Sequence, residues 1–154
     1  MNKNKQKMNL VFIMLLLNAL AISNFAHAQG AVDYTLNASD VTIENGIITA
    51  CSYDFSANAN GTNLVIPDDL AVTGIVDAET DWMGDVIGND LFIKKNIKSV
   101  ALPSTLTKIG NYAFAENNLS ELEIPDGVVK IGRDAFFENN IESIVIPASV
   151  VSIG

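Results

Sequence analysis

The side chains of this chain best suited to chemistry are carboxylates, and they concentrate in two places. Four of them flank a tryptophan in one acidic segment, and two more lie on an apolar segment further along: Asp77, Glu79, Asp81, Trp82 and Asp85, then Glu121 and Glu123. Carboxylates at alternate positions supply oxygen ligands to calcium, and paired carboxylates cleave glycosidic bonds. Each of these chemistries requires a fuller pattern than its acidic residues alone.

The first segment matches only the start of a calcium-binding loop. Its sixth position is Trp82, where such a loop has glycine, and its twelfth is Gly88, where the loop has glutamate. An acidic solvated loop is the better interpretation, in which Trp82 either packs the loop onto the fold or stacks against a sugar or a protein partner. We hypothesise that this loop is the chain's individual interaction site.

The two carboxylates on the apolar segment are not accompanied by the other residues that a catalytic site requires. Glu121 and Glu123 share one face of a strand, but no further acid marks a cleft around them. The only histidine is His27, and no Ser-His-Asp set, Cys-His set or glycine-rich phosphate loop follows it. Cys51 is the only cysteine, which excludes an internal disulfide and a cysteine-based zinc site. We expect a non-enzymatic protein that holds no metal or cofactor.

Residues 1–28 have the pattern of a secretory signal peptide. The pattern consists of a basic region, an apolar region and a cleavage motif: Lys3, Lys5 and Lys7, Leu10–Ile22, and Ala26-His27-Ala28. The apolar region is shorter than the roughly 20 residues that span a membrane. Cleavage after Ala28 leaves 6 basic and 18 acidic residues, a net charge of −12 (6 − 18). That charge disfavours nucleic acid and membrane surfaces as partners, and we expect a secreted or surface-located protein.

The elements that position the carboxylates are copies of one unit. Residues 96–103 read Asn-Ile-Lys-Ser-Val-Ala-Leu-Pro, and related octapeptides begin at Asn118 and Asn140, an interval of 22 residues each time. After each proline comes an Ile-Gly pair, and the first two copies continue through Ala-Phe to a final Asn. A fixed period in the range of about 20 to 29 residues, with an apolar strand motif in each copy, indicates a repeat fold of the leucine-rich kind.

The pattern within each repeat predicts that the repeat forms one coil of the chain. Leu122 and Ile124 point to the same side of a short strand, and Pro125 ends it. Gly127 and Gly132 predict bends with positive φ, after which an Ala-Phe segment forms a helical or 3₁₀ turn. The expected fold class is a β-rich solenoid of leucine-rich-repeat type with parallel strands, because a single coil buries too little apolar surface to fold alone.

Stacked coils place equivalent residues above one another. The period therefore predicts a column of phenylalanines inside the coils and a ladder of asparagines at the turn before each strand: Phe92, Phe114 and Phe136, and Asn96, Asn118 and Asn140. The asparagines suit that turn because they tolerate left-handed backbone and hydrogen bond to nearby main chain.

The repeat from Leu64 to Gly154 resembles the BspA-like leucine-rich repeats of bacterial surface proteins. Proline directly after the third apolar position, at Pro103, Pro125 and Pro147, sets it apart from the general leucine-rich pattern, which has asparagine or cysteine there. The resemblance implies a secreted or surface-displayed module for adhesion and protein binding.

The chain before the regular repeats divides into two parts. Residues 29–61 contain β-forming segments and an Asn45-Gly46 hairpin signal, which predict an N-terminal β-hairpin cap. Residues 62–154 are the repeats. The first is irregular, since Ile87-Gly88 is aligned with Ile109-Gly110 and 14 residues are inserted after Pro67. The last repeat stops before its Ala-Phe turn, so we expect a truncated repeat or a piece of a longer protein.

Three functional hypotheses follow from these patterns. The first is a protein-binding adhesion module whose partners are extracellular or surface proteins. The second is a carbohydrate-binding module that recognises glycans through Trp82 and the acidic loop. The third is an accessory segment of a larger secreted hydrolase.

Overall fold

The structure, a computed structural model, describes residues 30–81, 83 and 85–154. The predicted signal peptide and Trp82 lie outside these residues. Within them, regular structure consists of short strands and two 3₁₀ turns, at Phe55–Ala57 and Asp68–Leu70. The strands are β1 (Val32–Thr35), β2 (Val41–Glu44), β3 (Ile47–Cys51), β4 (Thr62–Val65), β5 (Gly74–Ile75), β6 (Glu79–Thr80), β7 (Val86–Gly88), β8 (Ile97–Ala101), β9 (Lys108–Ile109), β10 (Lys130–Ile131) and β11 (Ser152–Ile153).

The first sheet contains the strand predicted in the first octapeptide, at β8, together with two strands that precede it in the chain. Strands β1, β4 and β8 pair in parallel, with Leu64 between Tyr34 and Val100. Two isolated parallel bridges continue this pairing, from Ser99 to Glu121 and from Glu123 to Val145. Strands were predicted in all three octapeptides, but only the first forms a regular strand, and the later two hold this side of the fold through single bridges.

The second sheet was not predicted. It has the order β11-β10-β9-β5-β3-β2 and is parallel except for the β2–β3 hairpin. The hairpin signal is confirmed, since Asn45 and Gly46 form its turn with φ of 53° and 80°. Each two-residue strand from β9 onward contains the isoleucine of an Ile-Gly pair, so these segments are strand ladders that connect neighbouring repeats.

The expected positive φ at Gly127 and Gly132 is wrong. Positive φ occurs instead at turn residues spaced by the repeat period, such as Glu116 at 53° and Glu138 at 49°. Glycine is needed at position 132 for another reason, because a Cβ there would collide with the backbone nitrogen of Asn111 in the preceding repeat. Close approach between repeats therefore selects this glycine.

Apolar residues of both sheets point into one core. Ile48, Ile75 and Ile109 are fully buried along the second sheet. On the first sheet, Leu122 and Ile124 are 9% and 5% exposed, as their two-residue spacing predicts. The buried core therefore extends from Leu36 to Ala135.

The predicted phenylalanine column is confirmed. The rings of Phe92 and Phe114 are stacked 5.2 Å apart, and those of Phe114 and Phe136 are 5.9 Å apart, each pair within 6° of parallel. We call Phe92, Phe114 and Phe136 the aromatic column. The helical or 3₁₀ turn predicted at Ala135-Phe136 is wrong in detail, because the structure has hydrogen-bonded turns there without a helix of either kind.

The column continues into the N-terminal part of the fold through Phe55. Phe55 meets Phe92 edge to face at 6.2 Å, and Tyr53 and Tyr34 extend the contact, stacked 3.6 Å apart. The segment Tyr53–Phe55 forms no strand. The Asp54 side chain instead accepts a hydrogen bond from the Ser56 amide at 2.9 Å, which starts a 3₁₀ turn.

We predict that deprotonation of Tyr34 at alkaline pH lowers the stability of the fold. Its hydroxyl donates a hydrogen bond to Asp40 Oδ2 at 2.8 Å. This bond, with smaller contributions from burial and from the Asp40 charge, raises the pKa of Tyr34 to about 12 from 10.0. Because the folded pKa is the higher one, the resulting stabilisation is complete below about pH 10 and is lost as the pH rises towards about 12.

The test compares the wild type with Tyr34→Phe in urea unfolding between about pH 8 and pH 11.5. We expect the wild type to lose stability more steeply above about pH 10 than the variant, since all other titrating groups are shared. If the unfolding free energies of the two proteins fell in parallel with pH, the Tyr34–Asp40 hydrogen bond would make no pH-dependent contribution to stability.

Candidate functional site

The inserted segment lies in a different place from the one predicted. Gly74 pairs with Lys108, which sets Ile75 beside Ile109. The alignment of Ile87-Gly88 with Ile109-Gly110 is therefore wrong. Gly88 pairs instead with Glu79 in an antiparallel hairpin formed by β6 and β7.

The 14 extra residues remain, but they divide into two groups. The spacing from Pro67 to Ile75 is 8 residues against 6 from Pro103 to Ile109, so two residues are added before β5. The spacing from Ile75 to Phe92 is 17 against 5 in the next repeat, which adds twelve more. These twelve contain the hairpin Glu79–Gly88, which we call the inserted hairpin.

Asp77 belongs to the repeats and not to the insertion. Its Oδ1 accepts a hydrogen bond from the Asn111 amide at 2.9 Å and lies 3.3 Å from Lys108 Nζ. Asn111 in turn accepts, through its side-chain oxygen, a hydrogen bond from the Arg133 amide at 2.8 Å. Asp77 thus links one repeat to the next, and its carboxylate is engaged in the fold.

The other predicted acidic residues shape the inserted hairpin. Glu79 Oε1 accepts a hydrogen bond from Asn89 Nδ2 at 3.0 Å. Asp81 Oδ1 accepts from the amides of Met83 and Asp85 at 2.8 and 3.0 Å, which closes the hairpin loop. Among the described residues, no group of three or more acidic, histidine or cysteine side chains is placed to hold a metal ion. The calcium interpretation therefore gains no structural support.

Apolar side chains on this hairpin were missed in the sequence. Met83 and Ile87 are 64% and 68% exposed, although exposed side chains of this size are usually polar. Ile87 was overlooked because it was assigned to the buried Ile-Gly pair. The inserted hairpin thus presents apolar surface beside Asp85, whose side chain is also exposed.

Glu121 and Glu123 lie on the outer surface of the first sheet. Their neighbours on adjacent strands also point outward and form a groove of about 840 Å³. Its outward-facing members include Asp33, Asn63, Val65, Ser99, Ala101, Glu121, Glu123, Glu142, Ser143 and Val145. We call these residues the strand face. Its two glutamates lie on an open surface and not in a cleft.

Hydrogen bonds order one half of the strand face. Ser99 Oγ donates to Asn63 Oδ1 at 3.1 Å, and Asn63 Nδ2 donates to Asp33 Oδ1 at 2.8 Å. These three side chains form a continuous row of hydrogen bonds across adjacent strands. These hydrogen bonds hold the polar half of the strand face in position.

The other half of the strand face carries unpaired negative charge. Within the described residues, the side chains of Glu121, Glu123 and Glu142 have no recorded ion pair or hydrogen bond, and the groove lining contains no Lys or Arg. Basic side chains form their ion pairs elsewhere, as in Lys94–Glu116 at 3.1 Å and Lys108–Asp77 at 3.3 Å. This half of the strand face is consequently acidic.

Asn117 and Asn139 support this surface from inside, and sequence reasoning did not assign them a role. Asn117 is 5% exposed, and its amide nitrogen donates to the carbonyls of Phe92, Phe114 and Ala115 at 2.6 to 3.1 Å. Its side-chain oxygen accepts from the amides of Lys95 and Ile97, both at 3.0 Å. The structural role of both asparagines could have been predicted from the sequence, because the asparagine at the end of each repeat motif recurs with the same period.

The predicted outer asparagine ladder is confirmed for one step. Asn118 Nδ2 donates to Asn96 Oδ1 at 2.7 Å. Asn96 has a positive φ of 56°, which agrees with the turn role expected of it, whereas Asn118 and Asn140 do not have positive φ. This ladder lies at the surface, whereas Asn117 is buried one residue earlier.

The in-register pairing, the buried leucine and isoleucine columns and the strand face define a leucine-rich-repeat protein with a β-rich fold. Residues 85–154 match the family model described as BspA type leucine rich repeat region (6 copies). The match begins after the inserted hairpin's loop, and so covers less of the chain than the resemblance drawn from Leu64. No curated protein and no solved structure matches the chain. Among the described residues, no helix is long and apolar enough to cross a membrane.

Proposed function

We propose that this protein is an exported, non-enzymatic repeat module that binds extracellular or cell-surface proteins through its strand face. The family of residues 85–154 supports a role as a repeat interaction or surface module. The predicted signal peptide at residues 1–28 supports export. Adhesion to a surface is the biological use that fits both features.

We further infer a solenoid with an N-terminal cap. Parallel pairing of equivalent residues in both sheets and the aromatic column support a continuous stack of coils. The β2–β3 hairpin pairs with β5 at the start of the second sheet, while β1 pairs with β4 at the start of the first. In this position the hairpin and β1 shield the first coil, as a cap does.

The unpaired carboxylates of the strand face are the observation on which the binding proposal depends. A folded surface that leaves Glu121, Glu123 and Glu142 without ion pairs favours a partner that brings positive charge. Val65, Ala101 and Val145 add apolar contact area beside the charges. Interfaces commonly combine these two kinds of surface.

The test is a charge reversal on the strand face. Purified wild type and the double variant Glu121→Lys/Glu123→Lys are assayed on arrays of matrix and cell-surface proteins. We expect the variant to bind its partners at least about 10-fold more weakly, mainly through slower association. The matched control is Glu44→Lys/Glu138→Lys, which changes the net charge equally at exposed positions away from the groove. Equal losses in both variants, or none in either, would contradict a site on the strand face.

Carbohydrate binding through the inserted hairpin is the second candidate. The exposed Met83 and Ile87 show that this hairpin presents apolar surface, beside the position of Trp82 in the sequence. Replacing Glu79–Gly88 with a short Gly-Ser link leaves Asp77 and the buried Ala78 in place. Loss of glycan-array signal in this variant, with protein binding retained, would favour the second candidate over the first.

A further inference from the structure

A groove runs along the asparagine ladder and adjoins the strand face at Ser120. Its volume is about 390 Å³, within the range of small-molecule sites. Among the described residues that line it there is no Asp or Glu, although the chain has 18 acidic residues. We call it the amide groove, and its polar lining consists of four asparagines, a lysine and a serine: Asn60, Asn96, Asn118, Asn140, Lys98 and Ser120.

Hydrogen bonds hold the asparagine side chains of the amide groove in one orientation. Asn118 Nδ2 donates to Asn96 Oδ1 at 2.7 Å, and Asn96 Nδ2 donates in turn to the Ala59 carbonyl at 3.4 Å. Each side-chain amide has two N–H donors and two acceptor lone pairs, so these bonds leave further capacity for a ligand. The groove therefore offers donors and acceptors that are already oriented, which lowers the entropic cost of binding.

A bulge in β8 directs Lys98 towards this groove. Ile97 and Ser99 pair with consecutive residues of β4, so Lys98 between them is the extra residue of the bulge. Bulges turn a side chain away from the regular alternation of a strand. The stem of Lys98 lies over Gly61, where a Cβ would come within 2.8 Å of Lys98 Cγ. Glycine at this position therefore leaves room for the lysine stem.

The ammonium group of Lys98 has no recorded ion pair or hydrogen bond within the part of the chain that the structure describes. By contrast, Lys94, Lys95, Lys108 and Arg133 each form an ion pair. The amide groove consequently combines one uncompensated positive charge with neutral donors and acceptors.

The ligand that fits this combination is a sugar that carries one carboxylate. A carboxylate accepts charge-assisted hydrogen bonds from an ammonium group, and ring hydroxyls both donate and accept, as do the amides and the Ser120 hydroxyl. Successive asparagines lie on neighbouring repeats, about 4.8 Å apart, so one sugar ring can reach two of them. A polymer with a charge on every unit fits less well, because Glu121 and Glu123 on the adjoining strand face would repel it.

We propose that the amide groove binds the terminal carboxylated sugar of a glycan. The sugar carboxylate contacts Lys98 Nζ, and the ring hydroxyls hydrogen bond to Asn118 and Ser120. The site uses neither the glutamates of the strand face nor the inserted hairpin, so the proposal is independent of the proposed function.

The first experiment measures sugar binding to the purified protein by isothermal titration calorimetry. The probes are sialyllactose, an oligosaccharide that ends in glucuronic acid, and lactose as the uncharged control. We expect at least one acidic sugar to bind at least about 10-fold more tightly than lactose, and binding of only one of them identifies the source of the carboxylate. Lys98→Gln should weaken this binding at least about 10-fold. The matched control is Lys130→Gln, which removes another exposed lysine without a recorded ion pair and should leave the affinity unchanged.

Two further variants separate this site from the strand face. Asn118→Ala should weaken binding of the acidic sugar by about 3- to 10-fold. Glu121→Lys/Glu123→Lys should retain sugar binding even though it disrupts the strand face. Four results would overturn the proposal: no binding of either acidic sugar at about 10 mM, lactose binding as tightly as both, equal losses in Lys98→Gln and Lys130→Gln, or equally tight binding of a short peptide through its free carboxyl terminus.

Discussion

Replacing Asn117 with alanine lowers the free energy of unfolding by about 3 to 5 kcal/mol, the largest effect expected of any polar residue in the repeats. The side chain makes five hydrogen bonds with main-chain groups, among them the Phe92 carbonyl at 2.6 Å and the Ile97 amide at 3.0 Å. Alanine leaves several of these groups buried without partners and without access to water. Each such group costs about 1 to 3 kcal/mol, and the costs are not additive.

The neighbouring asparagine is the control for that substitution. Asn118 is exposed and its side chain makes one recorded hydrogen bond, to Asn96 at 2.7 Å, so Asn118→Ala should change stability by less than about 1 kcal/mol. Urea unfolding followed by circular dichroism measures both variants. Similar losses for the two would mean that the buried network around Asn117 contributes nothing beyond a surface turn.

Removal of the Phe114 ring is the second large effect. Phe114 is fully buried and is stacked between Phe92 and Phe136, at 5.2 and 5.9 Å. Phe114→Ala creates a cavity in the middle of the aromatic column and should destabilise the fold by about 3 to 5 kcal/mol. It should also reduce the cooperativity of unfolding, because repeats are stabilised mainly by their neighbours.

Alanine substitutions of two less buried phenylalanines provide the comparison for Phe114→Ala. Phe136 was placed in the interior by its position in the motif, but it is only half-buried, so Phe136→Ala should cost about 1 to 2 kcal/mol. Phe137 is 51% exposed, and Phe137→Ala should change stability by less than about 0.5 kcal/mol. Thermal and urea unfolding of the three variants should therefore rank Phe114, Phe136 and Phe137 in that order. Any other order would remove the aromatic column as the main packing element.

The candidate site was only partly predictable. Glu121 and Glu123 were placed correctly on an outward strand surface, because a period of two fixes the side of a strand on which each residue lies. Asp77 was assigned to the insertion, yet it links two repeats through Asn111 and Lys108. The error arose because Ile87-Gly88 resembles an Ile-Gly pair of the repeats, and a local match could not show that Ile75 pairs there instead.

The sequence by itself determined the features that depend on residue type and spacing. These are the 22-residue period, the inward position of Leu122 and Ile124, the aromatic column and the hairpin at Asn45-Gly46. Each follows from local chain geometry repeated at a constant interval, which superimposes like residues.

Only the tertiary structure decided the features that depend on contacts between repeats. It formed most of the second sheet from two-residue strands, set Ile75 beside Ile109 and buried Asn117 among main-chain groups. Strands as short as these carry no periodicity of their own, and they form because neighbouring repeats supply their hydrogen-bond partners.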